Sequence, residues 1–165
     1  MMTRKNTYFI CPLVDFTFKR LFGTENNKSL LIAFLNTSIS DDTGIITDIQ
    51  FLPQEMVGNC ENEKDVIFDI FCTNQNGDKF IIEMQRSLQH FFANRTISYV
   101  CRVISSSLRR GDYSYNIPSV YSINILDFQP DMFPEKENFF VAPLAEKPEP
   151  SIIVFPFFIE TTSFR

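Results

Sequence analysis

The chain has 165 residues, 44% apolar and 21% charged, with 19 phenylalanines and no tryptophan; this is enough apolar material for one packed domain over 1–165 and excludes wholesale disorder. No apolar stretch approaches the roughly 20 residues of a membrane helix, and Tyr8 to Val14 is too short and proline-broken for a secretory leader, so a cytoplasmic protein without a membrane partner is expected. The net charge of −5 argues weakly against nucleic acid, but the charge comes in blocks: 41–85 carries ten acids against two bases and is flanked by the basic segments 1–40 and 86–126.

Taken in chain order, Asp15 is expected to cap a short helix carrying Phe16, Leu21 and Phe22, ended by Gly23. A second helix is predicted from Asn27 to Ser38, where Leu30, Leu31, Phe34 and Leu35 follow helical spacing. Asp41-Asp42-Thr43-Gly44 reads as a turn and Ile45 to Leu52 as a strand stopped by Pro53. Asp65 to Thr73 and Lys79 to Gln85 are two further strands, and Asn74-Gln75-Asn76-Gly77-Asp78 between them is a strong hairpin signal. A long helix is predicted from Arg86 to Arg110, with Ala93, Ile97, Val100, Cys101, Ile104 and Leu108 as its apolar stripe and Gly111 ending it. Val120 to Phe128 is a strand, a short one is expected around Phe139 to Val141, and Ile152 to Ile159 is a last strand that Pro156 pushes to an edge. The sum is an α/β or mixed α+β domain with a mixed sheet.

Asp69 and Glu83 stand out because each is a charged residue inside an otherwise apolar strand, where burial is costly unless the group is paired or metal-bound. A two-residue turn at Asn76-Gly77 would set Asp69 opposite Met84. A three-residue loop, Gln75-Asn76-Gly77 with a left-handed glycine, sets Asp69 opposite Glu83, with Cβ atoms about 4.5–5.5 Å apart. Two like charges at that distance need a positive partner, and a hard divalent cation suits paired oxygen ligands. Gln85 shares the strand face of Glu83, and the Met84 carbonyl is a further candidate ligand. The plain alternative is a half-exposed hairpin whose acids are simply solvated.

Asp69, thirteen intervening residues, then Glu83-Met84-Gln85, on a hairpin followed by an arginine-bearing helix, resembles the PD-(D/E)XK nuclease superfamily. It is more closely similar to the PD-(D/E)XK nuclease family transposases, related to the recombination-promoting nucleases. The likeness is carried by Asp15 to Gly23, Asn27 to Asn36, Ile67 to Ile70, Ile82 to Gln85 and Tyr121 to Phe128. The resemblance implies a restriction-endonuclease-like fold, a central mixed sheet flanked by helices, and cleavage of DNA phosphodiesters with Mg²⁺ (or Mn²⁺) as cofactor. Carried over, Asp69 and Glu83 match the metal-binding catalytic acids and Gln85 takes the third catalytic position, with Asp15 a further candidate acid (Glu25 is another). Gln85 stands where much of the superfamily has lysine, so it can orient and donate hydrogen bonds but brings no charge. The rival is a catalytically silent relative that binds nucleic acid or protein. Relatives of this type generally continue well past the last strand, so a C-terminally shortened chain is also expected.

Arg95, Arg102 and Arg109 recur every seven residues on the predicted long helix, within one narrow strip opposite its apolar face. They are the candidate phosphate contacts; a solvated helix face is the bland account. Lys19, Arg20 and Lys28 could extend that basic surface. His90, the only histidine, reads as an ordinary helix residue. Cys11, Cys60, Cys72 and Cys101 lack zinc-ligand spacing and are expected to be mostly buried and reduced. Oligomeric state is left open, a dimer included.

Overall fold

The computed structural model describes residues 14–58, 64–87, 89–111, 113, 116–126 and 152–158, with side chains at 40–42 and 152–158 excepted. Among these, three helices and seven strands follow one another as α1 (Asp15–Phe22), α2 (Lys28–Thr43), β1 (Ile49–Phe51), β2 (Glu55–Met56), β3 (Val66–Ile67), β4 (Ile70–Asn74), β5 (Lys79–Gln85), α3 (Phe92–Ser107), β6 (Val120–Leu126) and β7 (Ile152–Phe158). Five strands form a mixed sheet in the order β1-β4-β5-β6-β7, and β2 pairs with β3 in a small second sheet. The β4–β5 hairpin is antiparallel, whereas β5, β6 and β7 run parallel. A parallel neighbour needs a crossover, and α3 lies within the one joining β5 to β6.

The sheet is covered on both faces. Phe18, Leu31, Leu35 and Ile39 of α1 and α2 pack on Ile70, Phe80, Ile82 and Ile123. Val100 and Val103 of α3 pack on the other face against Phe68, Phe71, Ile81 and Val120. Alternation along β5 therefore sends its even-numbered residues toward α1 and α2 and its odd-numbered ones, Glu83 and Gln85 included, toward α3. All seven residues of β6 are buried, as expected of a parallel strand enclosed on two faces. Among the described residues the proline-bearing β7 lies at one sheet edge, as expected.

The hairpin register is the one expected from a three-residue loop: Ile70 pairs with Ile82 and Phe71 with Ile81, and Gly77 is left-handed at φ +91. Asn74 holds the loop. Its Oδ1 accepts from the Asn76 and Asp78 N–H groups at 2.9 and 3.0 Å, and its Nδ2 donates to Asp78 Oδ2 at 2.8 Å. Asn74 is also buried, so Asn74→Ala would strand two backbone donors. We expect it to destabilise the protein by about 1–3 kcal/mol, measured as a lower urea midpoint with an unchanged slope.

Several expected boundaries are corrected. Val14, not Asp15, occupies the N-cap of α1, and Asp15 is its first helical residue. Gly23 ends α1 with φ −96, so its role is space: a Cβ there would lie 2.7 Å from the Lys19 carbonyl oxygen. Residues 41–43 continue α2, past a kink at Ile39, up to Gly44. The strand expected from Ile45 is confined to Ile49–Phe51 because side chains satisfy the backbone before it. Asn36 bonds both the N–H and the carbonyl of Ile46 at 2.8 Å, and Gln75 serves Ile45, Thr47 and Asp48.

The long helix is also shorter than expected. It starts at Phe92 and ends at Ser107, well before Gly111. Its buried face is Phe92, Thr96, Val100 and Val103, while Ile97, Cys101 and Leu108 are exposed. Cys72 is buried, with its thiol pushed up to about 12 by burial, and is unreactive. Cys11, Cys60 and the strand expected at 139–141 lie outside the described residues.

Candidate active site

The site is made by a break in a strand. Between β3 and β4, Phe68 and Asp69 leave the ladder because other groups satisfy their backbone. The Phe68 N–H donates to the Gln54 carbonyl at 2.8 Å, Gln54 Nε2 donates to the Asp69 carbonyl at 2.7 Å, and the Asp69 N–H donates to Glu83 Oε1 at 3.1 Å. Asp69 returns the last bond: its Oδ2 accepts from the Met84 N–H at 2.8 Å. Each acid thus holds a backbone donor of the other's segment. The break also turns Phe68 toward α3, where its ring meets Phe71 at 4.9 Å and the edge of Tyr99 at 5.4 Å.

Two carboxylates fixed this closely must be neutralised, and the protein does so in two ways. Lys19 of α1 places its Nζ 3.0 Å from Asp69 Oδ1 and 3.0 Å from Asp15 Oδ1. Burial opposes charge on this ammonium, but hydrogen bonds to Asp15 and Asp69 raise its affinity for the proton. Glu83 is only 6% exposed. Burial first, and then the charge of Asp69, push its carboxyl up to about 8, against the smaller opposing effects of the Asp69 N–H, Arg95 and Lys19. With its carboxyl raised this far, Glu83 holds its proton into the neutral range. Lys19 of the first helix is thus one positive partner of the pair that the chain itself supplies.

Around the pair, α3 supplies Arg95, whose guanidinium lies 6.0 Å from the Tyr99 ring centroid and also bonds Gln89. Burial, and then the nearby Glu83 charge, raise the Tyr99 hydroxyl's affinity for its proton. On β6, Asn124 sits beside Glu83 in the parallel register, is buried, and donates to Ser122 Oγ at 3.1 Å. The polar Ser122 and Asn124 within an apolar strand were the sequence signal for this neighbour. Lys19 gave no such signal, because its approach to Asp69 depends on how α1 packs.

The residues singled out from sequence divide clearly. Asp69, Glu83, Met84 and Gln85 lie together at one end of the hairpin, and Gln85 is buried. Asp15 reaches the pair only through Lys19. Glu25 lies in a single 3-10 turn and acts electrostatically on Lys28, which itself pairs with Asp48 at 2.7 Å. Of the three arginines, Arg95 is beside the acids, Arg102 donates to the Val57 carbonyl at 2.9 Å, and Arg109 lies beyond the end of α3. The helical strip of three is therefore not formed. Arg109 instead lines a cleft of about 500 Å³ with Lys79, Glu55 and Ser106, at the opposite end of β5 from Glu83. His90 is exposed.

A model of the PD-(D/E)XK nuclease family transposases matches residues 12–151, most of the chain. No match was found among curated proteins or among solved structures.

Proposed function

Because the chain belongs to the PD-(D/E)XK nuclease family transposases, we propose that it is a metal-dependent DNA endonuclease that hydrolyses phosphodiester bonds at Asp69 and Glu83. The observation that carries this reading is the Asp69–Glu83 pair itself. Two acids are locked together by reciprocal backbone hydrogen bonds, and one oxygen is already turned toward a cation, the Lys19 ammonium.

The donor set suits a hard divalent ion. Among the described residues no group of three or more His, Cys, Asp or Glu side chains gathers, but Mg²⁺ commonly takes one or two carboxylates and completes its shell with water and phosphate oxygens. Asp69 and Glu83 would hold Mg²⁺ or Mn²⁺, with the Met84 carbonyl as a third candidate oxygen. The ion would polarise a phosphate oxygen and lower the pKa of bound water. The protein's own residues do the positioning. The Met84 N–H fixes Asp69, the Asp69 N–H fixes Glu83, and Gln85 offers an uncharged donor on the same strand face. Lys19 supplies the positive charge near the acids that Gln85 lacks.

Arg95, Arg102 and Arg109 would contact substrate phosphates at separate points around α3. The double variant Arg95→Ala with Arg102→Ala is expected to reduce the salt dependence of DNA binding, log affinity against log salt, by about 2. An unchanged slope removes both arginines from the phosphate path.

The neutral Gln85 favours one second reading, a silent relative that binds nucleic acid or protein without cutting it. Supercoiled plasmid separates the two. Nicking in Mg²⁺ by the wild type, lost in Asp69→Asn, supports the nuclease. Plasmid left intact by the wild type in both Mg²⁺ and Mn²⁺ supports the binder.

A further inference from the structure

Phe16 is 69% exposed, although its helix carries two other phenylalanines, Phe18 and Phe22, turned into the protein. Positions 16, 19 and 20 follow one another at helical spacing on one face of α1, and Gly23 follows the helix on that side. That face lines a cleft of about 630 Å³ in which Phe16, Lys19 and Arg20 stand together with Asn26 and Gln54. The cleft is continuous with the acid pair at two points: Lys19 is bonded to Asp69 Oδ1, and Gln54 Nε2 is bonded to the Asp69 carbonyl.

We infer that this cleft is a strand-binding subsite that takes an unpaired nucleotide of the DNA next to the bond being cut, with its base on the Phe16 ring and its phosphate at Arg20 and Lys19. The inference rests on the nuclease reading and goes beyond it by naming the form of substrate, DNA with a single-stranded extension or opening. Its chemistry is complementary to such a strand. Base faces stack on aromatic rings whatever their sequence, and cations beside the ring track the backbone. A paired base inside a duplex does not present its face to a side chain, so the ring contributes only where the strand is open. A volume of about 630 Å³ falls within the range of small-ligand pockets, roughly 300–1,000 Å³, which suits one nucleotide rather than a duplex.

The absence of tryptophan from the sequence makes a direct test available. Phe16→Trp would introduce the only indole of the protein at the proposed stacking position. The measurement uses the 165-residue chain carrying Glu83→Gln as well, in EDTA, so that it reads binding and not cleavage. Addition of oligo(dT) is expected to quench the indole, and blunt duplex of the same length to quench it little. In parallel, Phe16→Ala should weaken oligo(dT) binding about tenfold, within the range for losing one base–aromatic stack, and leave blunt-duplex binding unchanged. Because Phe16 is exposed, its replacement should not disturb folding, and far-ultraviolet dichroism checks this. Absent quenching, or equal loss of duplex and single-strand binding in Phe16→Ala, would overturn the subsite. A plasmid left uncut by the wild type would count against the nuclease alone, since neither readout here requires cleavage.

Discussion

Replacing Glu83 with glutamine is expected to stabilise the metal-free protein while abolishing plasmid cleavage. In the folded protein burial and the Asp69 charge push the Glu83 carboxyl from about 4.5 up to about 8. The folded state then binds more protons than the unfolded state between those values, and its stability falls as pH rises across that window. The contribution is complete below about pH 4.5, where Glu83 is protonated in both states, and is lost by the time pH has passed about 8. Glutamine keeps the oxygen that accepts from the Asp69 N–H and never ionises. At pH 9 in EDTA, Glu83→Gln should therefore be more stable by up to about 5 kcal/mol, and the gain should vanish near pH 4.5. Thermal unfolding from pH 4.5 to 9 measures this. Cleavage should drop by about a hundredfold or more, as expected when a group that stabilises developing charge is removed. A variant less stable than wild type at every pH would show that Glu83 is held for packing and not as a strained charge.

Phe18→Ala should be the most damaging single truncation in the first helix, lowering stability by about 3–5 kcal/mol. Phe18 is almost completely buried and belongs to the cluster that seats α1 and α2 on the sheet. Its ring lies 5.2 Å from Phe22, which in turn lies 5.5 Å from Phe34. The same packing delivers the next residue, Lys19, to Asp69. Loss of the ring should thus weaken the site as well as the fold, and chemical denaturation together with plasmid cleavage reads both. Phe16→Ala, two residues away and exposed, should leave stability nearly unchanged. Equal destabilisation by the two changes would mean that α1 is not seated by Phe18.

The central hairpin was legible because its information is local. Asn74, Gly77 and the alternation on either side determine the register, and the register brings Asp69 to Glu83. The edge position of the proline-bearing β7 followed from one missing backbone donor. What escaped the sequence depends on partners distant along the chain. Gln54 and Glu83 replace ladder bonds at Phe68 and Asp69, and Asn36 and Gln75 do so between Ile45 and Asp48, so strands that read as continuous are broken. Lys19 read as surface charge because nothing near it in sequence announces Asp69. The three arginines read as one ridge only because the helix was drawn too long: Arg109 follows its end. The family resemblance covered what pattern alone could not, the assignment of the two acids to a nuclease, and the family match supports that membership over residues 12–151.

Titration calorimetry of Mn²⁺ and Mg²⁺ into wild type, Asp69→Ala and Glu83→Ala tests most directly whether these two acids act as one cation site. Binding to wild type is expected, stronger at pH 8 than at pH 6 because Glu83 must give up its proton, and it should be lost in either variant. Ion binding that survives both substitutions, or wild-type protein that takes up neither ion, would contradict a shared site at these acids.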